Sequence, residues 1–548
     1  MSAIGDKIQR KLRSFSINDK PKKVYMPRKE KKEKKGVELE EKITKIPKLA
    51  DENMKEIEIN PVDDPYSYVR IKYDNTSNEY IYEVIEPTLD DDEEAVLETL
   101  KDKLIEEFEM VEAETKEERE EYLEGKVKEI LKDLDINLRE VSEKRIIYYI
   151  KRDFLGFGTM EVVMNDVDPE DISCDGVGIP IYVFHRKYGS MKSNIIFDSA
   201  QELDNFVVWL AQRSGKHISV SDPMLDATMP DGSRLQETLG KHVTQKGSSF
   251  TIRRFEEDPF TPIDLTHFKT FNPEMMAYAW IAIENGQSML ICGGTASGKT
   301  TTLNAILLFI PPQMKIVSIE DTRELNLPHD NWVPLLTRSG FGETDESGQR
   351  AGEVDMFQLL QAALRQRPQY MMVGEVRGEE AYVVFQAMAT GKSAYTTFHA
   401  DDVQTMVNRM ENDPINLPRN LVGALDVVLL QAKVKVGTKM VRRIKAITEI
   451  VGVDPDTNEL ITNKAYTWNP ADDSFNYSGH SYVYSKVGES KNWTSREMER
   501  EVKRRKMVLE YMDKNEINNY QEFAHIISSY YRDKKGVMDM VKEDLKEG

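Results

Sequence analysis

The feature that most constrains this chain is the run ICGGTASGKTTT at residues 291–302. Four residues separate Gly293 from Gly298-Lys299-Thr300. That is the spacing of a loop whose backbone amides turn inward around a phosphate chain. Glycine allows the approach because no Cβ stands in the way. The flanks agree with this reading. Ser288, Met289, Leu290 and Ile291 read as a short buried strand, and residues 301–308 (TTLNAILL) read as a helix whose positive N-terminus faces the loop. The expected phosphate cradle is Gly293, Gly294, Thr295, Ala296, Ser297, Gly298, Lys299, Thr300 and Thr301. Lys299 should reach the β- and γ-phosphates and the Thr300 hydroxyl should ligate Mg²⁺. The implied ligand is a nucleoside triphosphate.

Composition narrows the setting. A chain of 548 residues has room for two or three domains. It holds no apolar run of 18 residues or more, so no transmembrane helix is expected. Its basic amino terminus lacks the continuous apolar core of a secretory leader. The two cysteines, Cys174 and Cys292, are too few and too distant for a four-thiolate zinc site. They read as small buried apolar residues of a reducing compartment, and the expected location is cytoplasmic.

A net charge of −21 counts against direct nucleic-acid contact, but the charge is unevenly spread. Residues 1–36 carry thirteen Lys/Arg against four acids, with Ile4, Ile8, Leu12 and Phe15 at helical spacing. That segment reads equally as an amphipathic docking element for an anionic lipid surface or acidic partner and as a solvated tail. Residues 90–121 are its acidic counterpart. Leu97, Leu100, Leu104, Ile105 and Phe108 recur there every three to four residues, as on a solvated helix with one packed face.

Five regions follow along the chain. Residues 1–60 form a basic, mobile tail and residues 61–135 an acidic region of short strands and helices. Residues 136–255 form an α/β domain, and residues 256–264, where Pro259 and Pro262 follow three acids, suit a linker. From 265 to 548, apolar strand-like runs alternate with helical patterns, as in a parallel α/β core, before hairpins and exposed C-terminal helices.

Three more constellations place a polar group just past a buried strand, where ligands gather in parallel α/β sheets. Residues 315–319 lead to Glu320 and Asp321; residues 370–374 lead to Glu375, with Arg377 two further on; residues 395–398 lead to His399 and Asp401. Glu375 fits an acid that handles Mg²⁺ through water or activates the attacking water, and Glu320 could share that work. His399 is placed to report the γ-phosphate.

In this order, GGTASGKT (293–300), IEDTREL (319–325), MMVGEVRGEE (371–380) and TTFHADD (396–402) resemble the Walker A, Asp box, Walker B and His box of the type II/IV secretion ATPase superfamily. The resemblance covers roughly residues 140–460. It implies a RecA-like P-loop NTPase core, a separate α/β N-terminal domain, and a charged helical extension ahead of it. The segments LDATMPDGSRL (225–235) and SFTIRRF (249–255) resemble the family's arginine segments, which would assign Arg234 and Arg253 to the ATP site, with Arg254 a weaker candidate. Guanidinium groups there would stabilise charge developing on the transferred phosphoryl.

The resemblance further implies ATP and Mg²⁺ as cofactors and a homohexameric ring. It also implies a polytopic membrane platform protein as partner, with the ring peripheral to the inner face of the membrane. Residues 172–189 and 253–265 look closest to the archaellum motor ATPase; pilus assembly or type II-like secretion is the alternative. From other classes, a DNA-translocating ring and a nucleotide-gated scaffold stay open. One departure is Thr390-Gly391-Lys392, where many relatives have Thr-Gly-His.

Overall fold

The computed structural model describes residues 43–49, 51–107, 115–255, 258–338, 340–344, 350–437 and 439–547. The basic segment 1–36, with its lipid or partner role, lies outside them. The chain divides into two compact units: Met1–Pro47, Asp63–Ser67 and Ile85–Gly158 form one, and Lys48–Val62, Tyr68–Val84 and Thr159–Gly548 form the other.

The first unit is built on three helices, Asp91–Glu107, Lys116–Asp133 and Glu140–Phe154. Leu97, Leu100 and Leu104 on the first helix bury against Leu123, Val127 and Ile130 on the second and Ile146 and Ile150 on the third. Ile105 does not join them and is 71% exposed. One residue past Leu104 is about 100° further round the helix, off the packed stripe. Phe108 lies outside the described residues. A reciprocal Thr115–Glu118 capping box starts the second helix.

The second unit contains two nine-stranded sheets. The N-terminal sheet runs in the order Met54–Asp63, Ser67–Asp74, Glu79–Ile85, Gly189–Ile196, Pro180–His185, Pro169–Cys174, Ser249–Arg253, Arg234–Thr238, Met224–Thr228. Glu79–Ile85 joins Gly189–Ile196 in parallel, and every later pairing is antiparallel. Strands expected in two separate regions, 61–135 and 136–255, thus share one sheet, while helix Glu140–Phe154 packs with the acidic helices.

The core sheet runs Trp332–Leu336, Ile316–Glu320, Tyr370–Glu375, Ser393–Phe398, Met289–Cys292, Val427–Val436, Lys439–Val453, Leu460–Asn469, Ser474–Tyr477. Its first six strands are parallel, and the last three extend it as antiparallel hairpins. Apolar residues of the strands and of helices Met356–Arg365, Glu380–Ala389 and Val403–Glu411 form its main core. Cys174 and Cys292 are both buried and free.

Two local expectations need correcting. Residues 261–264 are an ordered helix start, with a Thr261–Asp264 capping box, Pro262 in the first turn, and Pro262 and Ile263 buried. Proline is tolerated there because the first-turn amide has no partner anyway, so Pro262, which reads as part of a linker, opens the helix Pro262–His267. The C-terminal helices Ser495–Lys514 and Tyr520–Arg532 are not merely exposed. Trp280 stacks on Phe309 and meets Tyr530, while buried Arg505 lies over the Trp280 ring and pairs with Glu284 and Glu501.

Candidate functional site

The phosphate loop follows the fully buried strand Met289–Cys292 and enters helix Lys299–Leu307. Gly298 caps that helix at φ 88°, a left-handed conformation that side chains resist. A Cβ on Gly293 would fall 2.2 Å from the Gln431 carbonyl oxygen and 2.7 Å from Ser297 Oγ. That glycine is required by packing on the neighbouring strand as well as by the phosphates. Ser297 Oγ donates to the Gly294 carbonyl at 2.9 Å, and Lys299 Nζ donates to the same carbonyl at 3.1 Å. Thr302 Oγ1 is buried without a hydrogen-bond partner.

Strand order explains what gathers beside the loop. The strand carrying His399 lies between the phosphate-loop strand and the strand ending in Glu375. Lys299 Nζ consequently sits 3.5 Å from both His399 ring nitrogens, and His399 Nε2 lies 2.9 Å from Glu375 Oε1. The ladder slips between Val373 and Glu375, so Gly374 is an extra residue in that strand. Such a bulge re-aims the side chain after it, here Glu375. Arg377 donates to Glu375 Oε2, leaving Oε1 buried with no hydrogen bond of good geometry. Arg409 donates to the His399 carbonyl.

Burial holds Lys299 below its ordinary pKa, with nearby Glu375 opposing the shift. Burial and then the Lys299 charge hold His399 below its usual value, so its imidazole is neutral at neutral pH.

Glu320 ends the next strand and is almost wholly buried. Its Oε1 accepts from the amides of Glu324 and Leu325 at 2.9 and 3.0 Å, while Oε2 has no partner. Desolvation raises its pKa to about 7. A Cβ on Gly374 would approach Glu320 Cγ at 3.4 Å, so the missing side chain lets the two strand ends lie close.

Arg234 and Arg253 face each other across adjacent strands of the N-terminal sheet. Arg234 makes a two-point pair with Asp226 at 3.2 and 2.6 Å; Arg253 Nε donates to Asp171 at 3.0 Å. Among the described residues neither bonds to the phosphate loop. They differ in surroundings: the charges of Asp321 and Glu324 add to the Asp226 pair in raising the Arg234 pKa. Arg254 is engaged elsewhere, on the Asp166 carbonyl. Two residues passed over in the sequence pack on the loop. Gln431 lies behind Gly293, and Arg442 donates to the Ala296 carbonyl at 3.3 Å. Both sit on strands after the His box, where no motif marks them.

The residues fit a nucleotide with Mg²⁺. The cradle is shaped by glycine, a buried lysine lies behind it, and unpaired oxygens on Thr302, Glu320 and Glu375 line the adjoining strand ends and helix. No cluster of three or more His, Cys, Asp or Glu forms a metal cage among the described residues. A nucleotide-borne Mg²⁺ takes most of its ligands from phosphate and water, so the Thr300 and Glu375 expected from the sequence would be a sufficient protein share.

Topology and site together define a RecA-like P-loop NTPase. The family model described as type II/IV secretion system protein matches residues 187–526, and a PilB3-like N-terminal model matches residues 40–88. The chain belongs to the type II/IV secretion system protein family, a family of secretion and motor ATPases. It is 37% identical over 497 residues to the uncharacterized protein MJ0900 of Methanocaldococcus jannaschii, covering 86% of this chain and 88% of that one. It is 33% identical over 265 residues to protein VirB11 of Rhizobium radiobacter, covering 43% of this chain and 74% of VirB11. Among solved structures, the pilus retraction motor PilT with bound ADP aligns at a TM-score of 0.37 and 16% identity, over 68% of this chain and 92% of that one. Among the described residues no helix is long and apolar enough to cross a membrane.

Proposed function

We propose that this chain hydrolyses ATP·Mg²⁺ within a homohexameric ring and powers a type IV pilus-like filament through a membrane platform protein. The observation that carries the hydrolytic reading is the Lys299–His399–Glu375 cluster beside the phosphate loop, assembled from three neighbouring strand ends. Bound ATP·Mg²⁺ supplies the γ-phosphoryl group and the charge of the metal. Lys299 and the loop amides hold the phosphates, and Thr300 contributes a hydroxyl to the metal. Glu375 orients and deprotonates the attacking water through Oε1, the oxygen that faces His399 Nε2. Neutral His399, between lysine and carboxylate, links the state of the phosphates to the Glu375 strand end. To Glu320, whose Oε1 is taken up by the Glu324 and Leu325 amides, we assign the shaping of the loop.

Arg234, near the Asp-box acids, is the arginine we assign to the phosphates when the N-terminal sheet closes, and Arg253 has the weaker claim. Domain closure gives a motor its stroke only if nucleotide contacts differ between open and closed poses. The PilB3-like match over residues 40–88 favours pilus assembly, and the resemblance of residues 172–189 and 253–265 favours the archaellum as a second reading. We place the ring at the inner face of the membrane.

The test is Mg²⁺-dependent ATP hydrolysis by wild type and Glu375→Gln, with and without anionic-lipid vesicles. Glu375→Gln should retain ATP binding and lose about a hundredfold or more in kcat. Full activity in that variant would move the base elsewhere. Loss of surface pili, with swimming retained, in cells carrying the variant would separate the pilus reading from the archaellum.

A further inference from the structure

Arg323 belongs to the Asp-box loop, and its side chain packs against two aromatic rings. Its guanidinium lies over the Phe255 ring, 5.5 Å from the centroid, and over the Trp332 ring, 5.3 Å from the centroid. Its Nε is buried without a hydrogen-bond partner among the described residues, and its charge is felt by Glu320. A planar, weakly hydrated guanidinium suits that setting, and the quadrupole of each ring attracts its charge.

The two rings belong to different sheets. Phe255 follows the strand Ser249–Arg253 of the N-terminal sheet. Its amide donates to Ser233 Oγ at 3.2 Å, and its ring covers Gly232, where a Cβ would come within 3.0 Å of it. Gly232 has φ 89°, so the turn that leads into Arg234 is shaped to receive this ring. Trp332 lies in the core sheet beside the Glu320 strand, and its Nε1 donates to Ser318 Oγ at 2.9 Å. Arg323 itself stands between Glu320 and the two amides, of Glu324 and Leu325, that bind the Glu320 carboxylate.

We propose that Arg323 is a positioning residue: lying over both the Phe255 and the Trp332 ring, it couples the pose of the N-terminal sheet to the loop that orients Glu320. A shift of the Gly232–Arg234 turn moves Phe255, which drags Arg323 and alters the amides on Glu320. The same contact therefore sets where Arg234 stands and how the Asp-box loop is held. This inference rests on the ATPase reading for its kinetic consequence alone; the stack itself stands without it.

The experiment has a spectroscopic arm and a kinetic arm, in the full chain. The Trp332 contribution to tryptophan emission is isolated by subtracting the Trp332→Phe spectrum. Phe255→Leu keeps the apolar cover on Gly232 but removes the π face, and it should shift Trp332 emission in the same direction as Arg323→Ala. In ATPase assays each variant should lower kcat about fivefold with KM within about twofold, and the double variant should lose no more than either single one. Arg323→Lys should restore part of the loss, since it keeps the charge and gives up the planar stack. Multiplying losses, about 25-fold in the double variant, would overturn the coupling. So would a Trp332 emission that ignores Phe255→Leu. Should wild type fail to hydrolyse ATP, the proposed function falls, and the emission arm still decides the stack.

Discussion

The two nine-stranded sheets of this chain use polar side chains in opposite ways. In the core sheet, six parallel strands deliver their carboxyl ends to one edge, so Glu320, Glu375 and His399 from separate motifs meet beside the phosphate loop. In the N-terminal sheet, mostly antiparallel, strand ends alternate between edges and charges pair across neighbouring strands. Arg70 with Glu83, Arg234 with Asp226, and Arg253 with Asp171 are examples. Parallel topology concentrates chemistry, whereas antiparallel topology neutralises it locally. A resting arginine already held by an acid must be released before it can serve a phosphate, which gives closure of the N-terminal sheet a built-in cost.

The contrast is sharpest between two buried glutamates. Glu320 of the core has two backbone amides on one oxygen. Glu237 of the N-terminal sheet has no hydrogen-bond partner on either oxygen and pairs in register with Leu225 and Phe250, the latter packed on Phe206. Burial alone pushes the Glu237 pKa up to about 8. Its folded value exceeds its unfolded one, so its protonated form is compatible with folding at low pH, and stability declines as pH rises from about 4.5 through about 8. Glu237→Leu should therefore stabilise the protein by roughly 3 kcal/mol at pH 7 and by less than about 1 kcal/mol at pH 5. Urea unfolding at the two pH values checks this. Equal gains at both, or a loss, would mean that an unseen partner satisfies Glu237 and that the sheet hides chemistry of its own.

Glu320 gives the next largest effect. Its pKa near 7 means that rising pH converts a neutral acceptor for the Glu324 and Leu325 amides into a charged and stronger one. Glu320→Gln keeps an acceptor oxygen but cannot ionise. Its kcat should fall about tenfold at pH 8 and approach wild type at pH 6. A loss at pH 8 as deep as the hundredfold expected of Glu375→Gln would return Glu320 to the role of base that the sequence left open between it and Glu375.

Much of the core was legible because its chemistry is local in sequence. The phosphate loop, and the acids and histidine that follow apolar runs, sit at positions fixed by strand length alone. Strand order was not legible: nothing near residue 399 says that its strand lies between the phosphate-loop strand and that of Glu375. The N-terminal sheet was harder still, since Glu79–Ile85 pairs with Gly189–Ile196 across an intervening three-helix unit. Ile105 matched the helical period loosely and lies off the stripe. The Arg323 stack had no sequence mark, because cation–π contacts depend on three-dimensional neighbours and not on spacing.

The arginines carry the smallest expected effects and test the contrast most directly. Both are paired within their sheet, so the resting contacts do not distinguish them. The charges of Asp321 and Glu324 add to the Asp226 pair in raising the Arg234 pKa, and on that ground Arg234 is the arginine we assign to the phosphates. Arg253 is held by Asp171, which lies a strand further into the N-terminal sheet. Arg234→Ala should lower kcat about tenfold with little change in ATP affinity, as expected for a contact made only in the transition state. Arg253→Ala should cost about threefold or less. If the order reverses, the sheet closes with its Ser249–Arg253 strand leading, and the Asp226 pair is the lock that keeps Arg234 at rest.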